Sequence, residues 1–394
     1  MALAFNPLDP SFRVDPYAQL HQLRALDPVH FVEEPGLWLL TRYADVVAAF
    51  RDPRLSAERF QLSLPEMRSS ALISSLSTMM LLRDPPDHTR LRTLVSTAFT
   101  PRVVERLRPR IEALVDHLLT VVDVRRSFDL MQVLAAPLPV AVIAQLLGVP
   151  LEDHARFKRW SDDLILIADG STALAGFPQA EQSAGALREY LRVVFMQRRV
   201  APQDDLISGM LAAQEHGDRL SDDELFSTCA LLLIAGHETT TNLICNGVLT
   251  LLRHPDQLAR LRAAPALIES AIEELLRYES PVQLTSRVAK EDFELGGKPV
   301  KCGQEVSLMI GAANRDPEQF PDPDRLDLGR ADNRHLAFGL GTHFCLGAAL
   351  ARLEGQIAIG AIVQRYPNLH LATDAIEWRE GLMIRGVKGL ELEV

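Results

Sequence analysis

A cysteine set among glycines is the residue with the most chemical promise in this sequence. Within residues 338–347, FGLGTHFCLG, Gly339 and Gly341 allow a tight backbone path just ahead of an apolar helical pattern. Cys345 is expected in the first turn of that helix, where free N–H groups and partial positive charge would stabilise a thiolate and lower the pKa of the thiol. A thiolate held in such an open turn suits ligation of a flat metal macrocycle.

This cysteine has other interpretations as well. For an arbitrary cysteine, a buried structural role is the commonest one. A zinc site needs about four ligands, and His343 and Cys345 have no partner pair at a suitable spacing. The glycines do not complete a GxGxxG loop, since its last position is Phe344, and the CxxCH of c-type haem attachment is absent.

An acid and two threonines interrupt a second, otherwise apolar helical pattern at residues 235–240, AGHETT. Burying such groups is costly unless they serve a purpose. Gly236 weakens the helix and threonine can bond back to a carbonyl one turn earlier, so we expect a local bulge. Ala235 and Thr239 share a face, which leaves room for a flat cofactor and a diatomic ligand. The stretch is either a kink with a satisfied polar pair or a proton relay, with Thr239 holding the ligand or water and Glu238 passing protons.

Both stretches resemble motifs of one family. Residues 338–347 fill every defined position of FGxGxHxCxG, the haem-binding signature of the cytochrome P-450 family, and residues 235–240 are similar to its A-G-x-[DE]-T-T oxygen-activation motif. The resemblance implies that Cys345 is the thiolate ligand of haem b (iron protoporphyrin IX) and that Glu238 and Thr239 serve catalysis. The presence of both acid and alcohol favours activation of O2 over use of peroxide.

The propionates of a haem call for Arg and His donors. His88 and Arg92 lie four residues apart in DPPDHTRLR, a pairing that alone is typical of a solvated helix face. The segment resembles the family's DPPxHxxxR, and Arg287 stands where the family places another propionate donor. The resemblance thus implies a set of haem contacts: His88, Arg92, Ala235, Arg287, Phe338, Gly339, His343, Cys345 and Gly347.

Glu274 and Arg277 form an i, i+3 pair, worth only a few tenths of a kcal/mol on an exposed helix. The pair also resembles the family's ExxR motif, whose further partner would be Arg325. We expect these three residues to form a structural ion pair that locks the cysteine-loop region, without a chemical role.

The elements that position these residues are mainly helical. The strongest helix is predicted from about Ser221, which opens a capping-box spacing, to Arg253. The other expected elements are short strands around His30 and Phe31 and at residues 38–41, a mobile apolar loop at 56–80, helices from about 88 to 278 with a loop at 169–178, a strand region with a hairpin at 287–310, a loop at 316–327, and a helix from about 345 to 366. We therefore expect a mainly α fold with a small β region, forming a single large domain over residues 1–394 around a buried haem.

Composition excludes several classes of protein. Of the 394 residues, 47% are hydrophobic and 24% are charged, which excludes a disordered chain, and the formal charge of −11 argues against nucleic acid or an anionic membrane as partner. No apolar stretch is long enough to cross a bilayer, the start has no signal-peptide pattern, and four widely spaced cysteines do not suggest a disulfide framework. We expect a cytoplasmic monomer.

Electrons are expected to come from other proteins, because no flavin or iron–sulfur module follows the cysteine motif. The resemblance implies a ferredoxin and a ferredoxin reductase, with NAD(P)H as the indirect donor. Residues 81–110 carry seven Arg and three acids, a net +4 in an acidic chain. Such a run is usually a solvated face; we expect it to dock an acidic ferredoxin.

The substrate is expected to be a hydrophobic small molecule that receives one oxygen atom of O2 by hydroxylation or epoxidation. The candidate pocket segments are 62–82, 164–177, 282–284 and 382–384, and the candidate contacts are Leu232, Ala235, Val282, Leu284 and Met383. These segments are mostly apolar, so a macrolide or other polyketide, a terpenoid or a fatty acyl compound is expected, as in bacterial secondary metabolism.

Alternative functions remain at this point. An oxidase or coupling enzyme acting on a carrier-bound substrate stays open. A peroxide-using enzyme is disfavoured by Glu238 and Thr239. A haem-thiolate ligand sensor without turnover is disfavoured by the same intact relay and by the absence of a signalling module in the sequence.

Overall fold

A computed structural model describes residues 6, 9–59, 77–123, 126–168, 173–213 and 219–394. Its helices are α1 (Pro10–Val14), α2 (Tyr17–Leu26), α3 (Tyr43–Arg51), α4 (Asp87–Ser96), α5 (Pro101–Glu105), α6 (Arg108–Leu119), α7 (Pro137–Leu146), α8 (His154–Ala168), α9 (Ala173–Val200), α10 (Leu206–Ala212), α11 (Asp222–Arg253), α12 (Pro255–Ala263), α13 (Ile268–Tyr278), α14 (Ile310–Ala313) and α15 (Ala348–Arg365). Most of the predicted loop at 56–80 lies outside the described residues.

The strands are few and short, as expected. They are β1 (Val29–Val32), β2 (Leu37–Leu40), β3 (Leu55–Ser56), β4 (Phe128–Asp129), β5 (Thr285–Ala289), β6 (Phe293–Leu295), β7 (Lys298–Val300), β8 (Glu305–Leu308), β9 (His370–Leu371) and β10 (Glu391–Glu393). One sheet has the order β1-β2-β8-β5-β3, with β2 and β8 parallel; β4, β10 and β9 form another, and β6 and β7 form the predicted hairpin. The mainly α fold with a small β region is confirmed.

Helix α11 runs through the main apolar core and supplies one wall of the site. The predicted capping box is present: Glu224 N–H donates to Ser221 Oγ at 3.2 Å, and Ser221 N–H donates to Glu224 Oε2 at 2.8 Å. Its 32 residues make it about 48 Å long. The expected bulge near Gly236 is absent, because α11 is regular throughout. An added Cβ at Gly236 would lie 2.8 Å from Ile143 Cδ1, so this glycine allows α7 to approach.

The predicted loop at 169–178 was partly wrong. Residues 169–172 lie outside the described part of the chain, but α9 already begins at Ala173 and includes Pro178. A proline near a helix start removes a single backbone hydrogen bond. We attribute the helix to the packing of α9 on α8, which outweighs that loss.

Candidate active site

The cysteine loop ends before α15 begins. Gly339 and Gly341 adopt positive φ values of 68° and 75°, as the tight path requires, and the N–H of Cys345 donates to the carbonyl of Phe338 at 2.8 Å. The expectation that Cys345 lies in the first helical turn was wrong. Phe344 leaves the preceding turn with φ −50° and ψ 135°, residues 346–347 form a further turn, and the first helical residue is Ala348.

The pKa of the Cys345 thiol also differs from the lowered value that the sequence predicted. Burial raises the pKa of Cys345, while the N–H of Gly347 and the charges of Arg92 and Arg352 act to lower it. The free thiol is therefore a weaker acid than the sequence predicted. A metal ion that binds the sulfur would displace this proton.

A half-buried network connects the loop to α13. Arg352 lies over the ring of Phe338, 4.5 Å from its centroid, and forms two hydrogen bonds of 2.7 Å with Glu273. The side chain of His335 contacts the same carboxylate at 3.2 Å. Although burial opposes the shift, hydrogen bonds from Arg352 and His335 hold the pKa of Glu273 at about 2. Sequence reasoning missed this network, which joins residues more than 60 positions apart.

Cationic side chains from distant segments converge near the loop. The rings of His88 and His343 pack in a tilted arrangement, with centroids 4.1 Å apart and an angle of 40° between their planes. Arg287 and Arg59 both donate to the carbonyl of Ser286, at 2.8 and 3.2 Å. Burial, then the charges of His88 and Arg287, lowers the pKa of His343 to about 3. Arg59 was not among the predicted residues, because no motif surrounds it.

The cationic cluster, formed by Arg59, His88, Arg92, Arg287 and His343, fits the propionates of a haem. Within the described part of the chain, His88 Nδ1 and His343 Nε2 are buried without a hydrogen-bond partner. Burial lowers the pKa values of Arg59, Arg92 and Arg287, in the last case to about 10, so an anion bound among them would stabilise their charge. The charge of Cys345 acts on Arg92, which places one member of the cluster close to the thiol. A dianionic group that also binds a thiolate matches this donor set.

An exposed notch interrupts the buried surface of α11. Ala235 is exposed and Thr239 is half-buried, whereas Leu233 and His237 are buried. Thr239 Oγ1 donates to the carbonyl of Ala235 at 2.7 Å, so the two residues share a face as predicted. A small side chain and a hydroxyl therefore border open space at the middle of a core helix.

Glu238 contacts a residue that the sequence did not suggest. Its Oε1 accepts a hydrogen bond from Asn242 at 3.1 Å and lies 2.6 Å from Nη1 of Arg379. Burial raises the pKa of Glu238, and the charge of Arg379 opposes this. The carboxylate thus interacts with the chain's carboxyl-terminal segment and not with the hydroxyl of Thr239.

The expected ion-pair cluster is present with one different member. Arg277 donates to both oxygens of Glu274 at 2.8 Å, and both side chains are fully buried. The assignment of Arg325 as partner was wrong: its side chain is exposed, and its backbone carbonyl accepts from Arg277. Arg330 is the second arginine, with Nε 3.1 Å from Glu274 Oε2, and Asn333 donates to the same oxygen.

The predicted substrate contacts lie in two places: Val282, Leu284 and Met383 lie where residues 282–284 meet residues 382–384, and Leu232 and Ala235 lie on α11. Val282 pairs with Ile384, and the N–H of Gln283 donates to the carbonyl of Met383 at 2.8 Å. Leu284 packs with Leu382 against a small apolar cluster. Leu232 is on α11, 8% exposed, one turn before Ala235. Residues 62–76 and 169–172 of the candidate segments lie outside the described residues.

The basic run at 81–110 is only partly available to a partner. Arg90 pairs with Glu224 and Arg108 with Glu105. The exposed arginines of the run are Arg102, Arg106 and Arg110. Phe344, next to Cys345, is 40% exposed. In the portion of the chain that the structure covers, no helix is long and apolar enough to span a membrane.

Comparisons with known proteins agree on one family. The sequence model described as "Cytochrome P450" matches residues 65–377. The polyketide biosynthesis cytochrome P450 PksS of Bacillus subtilis (strain 168) is 40% identical and covers 100% of this chain and 99% of its own. The vitamin D(3) 25-hydroxylase of Pseudonocardia autotrophica is 46% identical over 96% of this chain and 93% of its own.

A solved structure agrees with the fold as well as the sequence. P450BioI, in complex with an acyl carrier protein ligated to hexadec-9Z-enoic acid, superposes with a TM-score of 0.92. It is 41% identical and covers 97% of this chain and 98% of its own. The matched segment includes the cysteine loop, the α11 notch and the cationic cluster apart from Arg59. The chain therefore belongs to the cytochrome P450 family, a family of haem-dependent oxidoreductases.

Proposed function

We propose that this protein is a monooxygenase that inserts one oxygen atom of O2 into a hydrophobic small molecule. The observation that carries the proposal is the cluster beside the Cys345 loop. It combines buried Arg287 and half-buried Arg59 and Arg92 with nitrogens of His88 and His343 that have no hydrogen-bond partner among the described residues. Haem bound there through a thiolate supplies O2 activation, since electron donation from sulfur favours O–O cleavage.

The residues of this chain have separate tasks in that reaction. Cys345 provides the sulfur ligand, and the N–H of Gly347 reduces its negative charge. Arg59, Arg92 and Arg287, with both imidazoles, bind the propionates. Because the hydroxyl of Thr239 donates its hydrogen bond to the carbonyl of Ala235, Oγ1 of Thr239 is able to accept a hydrogen bond from a group in the notch.

Proton transfer is assigned to Glu238 and Thr239. Burial raises the pKa of Glu238, which makes its carboxyl easier to protonate than an exposed one. The side chain must turn from Arg379 toward Thr239 to do so. Loss of either group is expected to reduce product formed per electron pair consumed.

We propose a polyketide, terpenoid or fatty acyl substrate. The supporting observation is the apolar character of the candidate contacts Leu232, Ala235, Val282, Leu284 and Met383. Related proteins are a polyketide biosynthesis P450, a vitamin D(3) 25-hydroxylase and P450BioI in complex with a fatty acyl carrier protein. A carrier-bound substrate is the second candidate, because the related P450BioI binds an acyl carrier protein.

Titration of the haem Soret band tests these substrate classes. The ferric protein would be mixed with a macrolide, a terpenoid, hexadec-9Z-enoic acid and the same acid attached to an acyl carrier protein. A blue shift with one compound is expected, because a substrate displaces water from the pocket. Shifts with the carrier-bound acid alone would favour the second candidate, and no shift with any compound would contradict the proposed substrate classes.

A ferredoxin with its NAD(P)H-dependent reductase is proposed as the electron donor. The docking surface is formed by the exposed Arg102 of α5, Arg106 just after α5 and Arg110 of α6, whose positive charges suit an acidic partner. Arg102→Glu with Arg106→Glu should slow partner-driven turnover and weaken its salt dependence. The control is Lys388→Glu, an exposed charge outside this face; equal rates for both variants would refute the docking site.

A further inference from the structure

The relay acid Glu238 contacts Arg379 of a hairpin and Asn242 of its own helix, and not Thr239. Arg379 Nη1 lies 2.6 Å from Glu238 Oε1, and Asn242 donates to the same oxygen at 3.1 Å. Thr239 donates to the carbonyl of Ala235. Direct transfer of a proton between Glu238 Oε1 and Thr239 therefore requires the Glu238 side chain to turn away from Arg379 and Asn242.

Arg379 belongs to a hairpin of residues 377–388 that lies on the same face of α11. The N–H of Arg379 donates to the carbonyl of Gly386 at 2.9 Å. An added Cβ at Gly386 would lie 2.0 Å from Asn242 Oδ1, so the hairpin backbone touches the helix. Asn246, one turn further along α11, donates to another hairpin carbonyl at 3.0 Å. The acid and the hairpin are thus connected by several contacts.

The tip of this hairpin carries candidate substrate contacts. The carbonyl of Met383 accepts from Gln283 at 2.8 Å, and Ile384 pairs with Val282. A molecule that presses on this tip would act on the hairpin that holds Arg379. The Glu238 side chain is 6% exposed and that of Arg379 is 35% exposed, so the arginine is the outer member of the pair.

We propose that Arg379 is a positioning residue that holds Glu238 away from Thr239 until substrate displaces the hairpin, so that proton delivery depends on an occupied pocket. This inference rests on the proposed monooxygenase function. Other charges near Glu238 are Asp162 and Lys158 of α8, which pair with each other at 2.7 Å. Arg379 is thus the cation whose removal should release the acid.

Infrared spectroscopy of the haem-loaded, substrate-free protein tests the proposal, with carbon monoxide as the probe. In Arg379→Met, Glu238 can turn into the pocket and donate a hydrogen bond, which should add a C–O stretching band at lower frequency. Arg379→Lys should restore the wild-type band. Lys388→Met removes an exposed charge from the same hairpin and should leave the band unchanged. Adding Glu238→Ala to Arg379→Met should remove the new band.

The outcomes separate this inference from the proposed function. Wild-type bands in both Arg379→Met and Arg379→Gln, with normal thiolate-haem absorption, would overturn the role of Arg379 alone. A new band that survives Glu238→Ala would also overturn it. Failure of the wild-type protein to give thiolate-haem absorption would instead overturn the proposed function.

Discussion

Glu354 is a buried carboxyl on α15 whose replacement should stabilise the protein. Its side chain is 1% exposed, and within the described part of the chain its Oε2 has no hydrogen-bond partner. Burial raises the pKa of Glu354 from 4.5 to about 8. We predict that Glu354→Gln increases the free energy of unfolding, and that the gain grows with pH.

The magnitude follows from the two pKa values. The folded state must hold a proton that the unfolded state releases above pH 4.5, so stability falls as pH rises toward about 8 and then levels off. At roughly 1.4 kcal/mol per pKa unit, the penalty is about 2 kcal/mol at pH ~6 and about 4 kcal/mol at pH ~8. Glutamine has nearly the shape of the protonated acid and does not ionise, so the variant should escape this penalty.

Urea unfolding of the haem-loaded protein, followed by helical circular dichroism at both pH values, measures the effect. The variant should gain about 2 kcal/mol more over wild type at the higher pH. Glu181→Gln, the same change at an exposed position of α9, is the control and should be neutral at both. A gain for Glu354→Gln that does not change with pH would refute the reasoning.

Three further changes should have distinct effects. Thr239→Ala should release hydrogen peroxide and lower product per NADPH several-fold, because it removes the hydroxyl from the notch; unchanged coupling would exclude Thr239 from proton transfer. Arg330→Ala should lower the free energy of unfolding in urea by about 3 kcal/mol, because buried Glu274 loses a charged partner. Arg325→Ala, at an exposed position, should lower it by less than about 0.5 kcal/mol. Equal losses would contradict the cluster of Glu274, Arg277 and Arg330. Gly339→Ala should cost about 1–2 kcal/mol and lower the haem content of purified protein, because its φ is 68°; normal stability would contradict a strained loop.

The parts of the site that could be predicted are those that depend on residues close together in the sequence. Gly339 and Gly341 predicted the tight loop, and the 235–240 stretch predicted the shared face of Ala235 and Thr239. The predicted position of Cys345 was wrong because Leu346 and Gly347 form a turn between it and α15, and no periodicity reveals such a break.

The residues that sequence reasoning missed act across long chain separations. Arg59 meets Arg287 at one carbonyl, and Arg379 reaches Glu238 from the carboxyl-terminal hairpin. Neither arginine stands in a motif, so their partners follow only from the packing of the fold. The same limit explains why the partner of Glu274 is Arg330 and not the predicted Arg325. Several arginines follow α13 in the sequence, and the conformation of the loop decides which of them reaches the carboxylate of Glu274.

The absorption spectrum of the reduced protein with carbon monoxide tests the central claim most directly. If Cys345 binds haem iron as a thiolate, the wild-type Soret band lies at the long wavelength of thiolate-ligated haem. Cys345→His should then move it to the shorter wavelength of imidazole-ligated haem. A short-wavelength band in the wild-type protein, or a long-wavelength band that survives the substitution, would contradict the account.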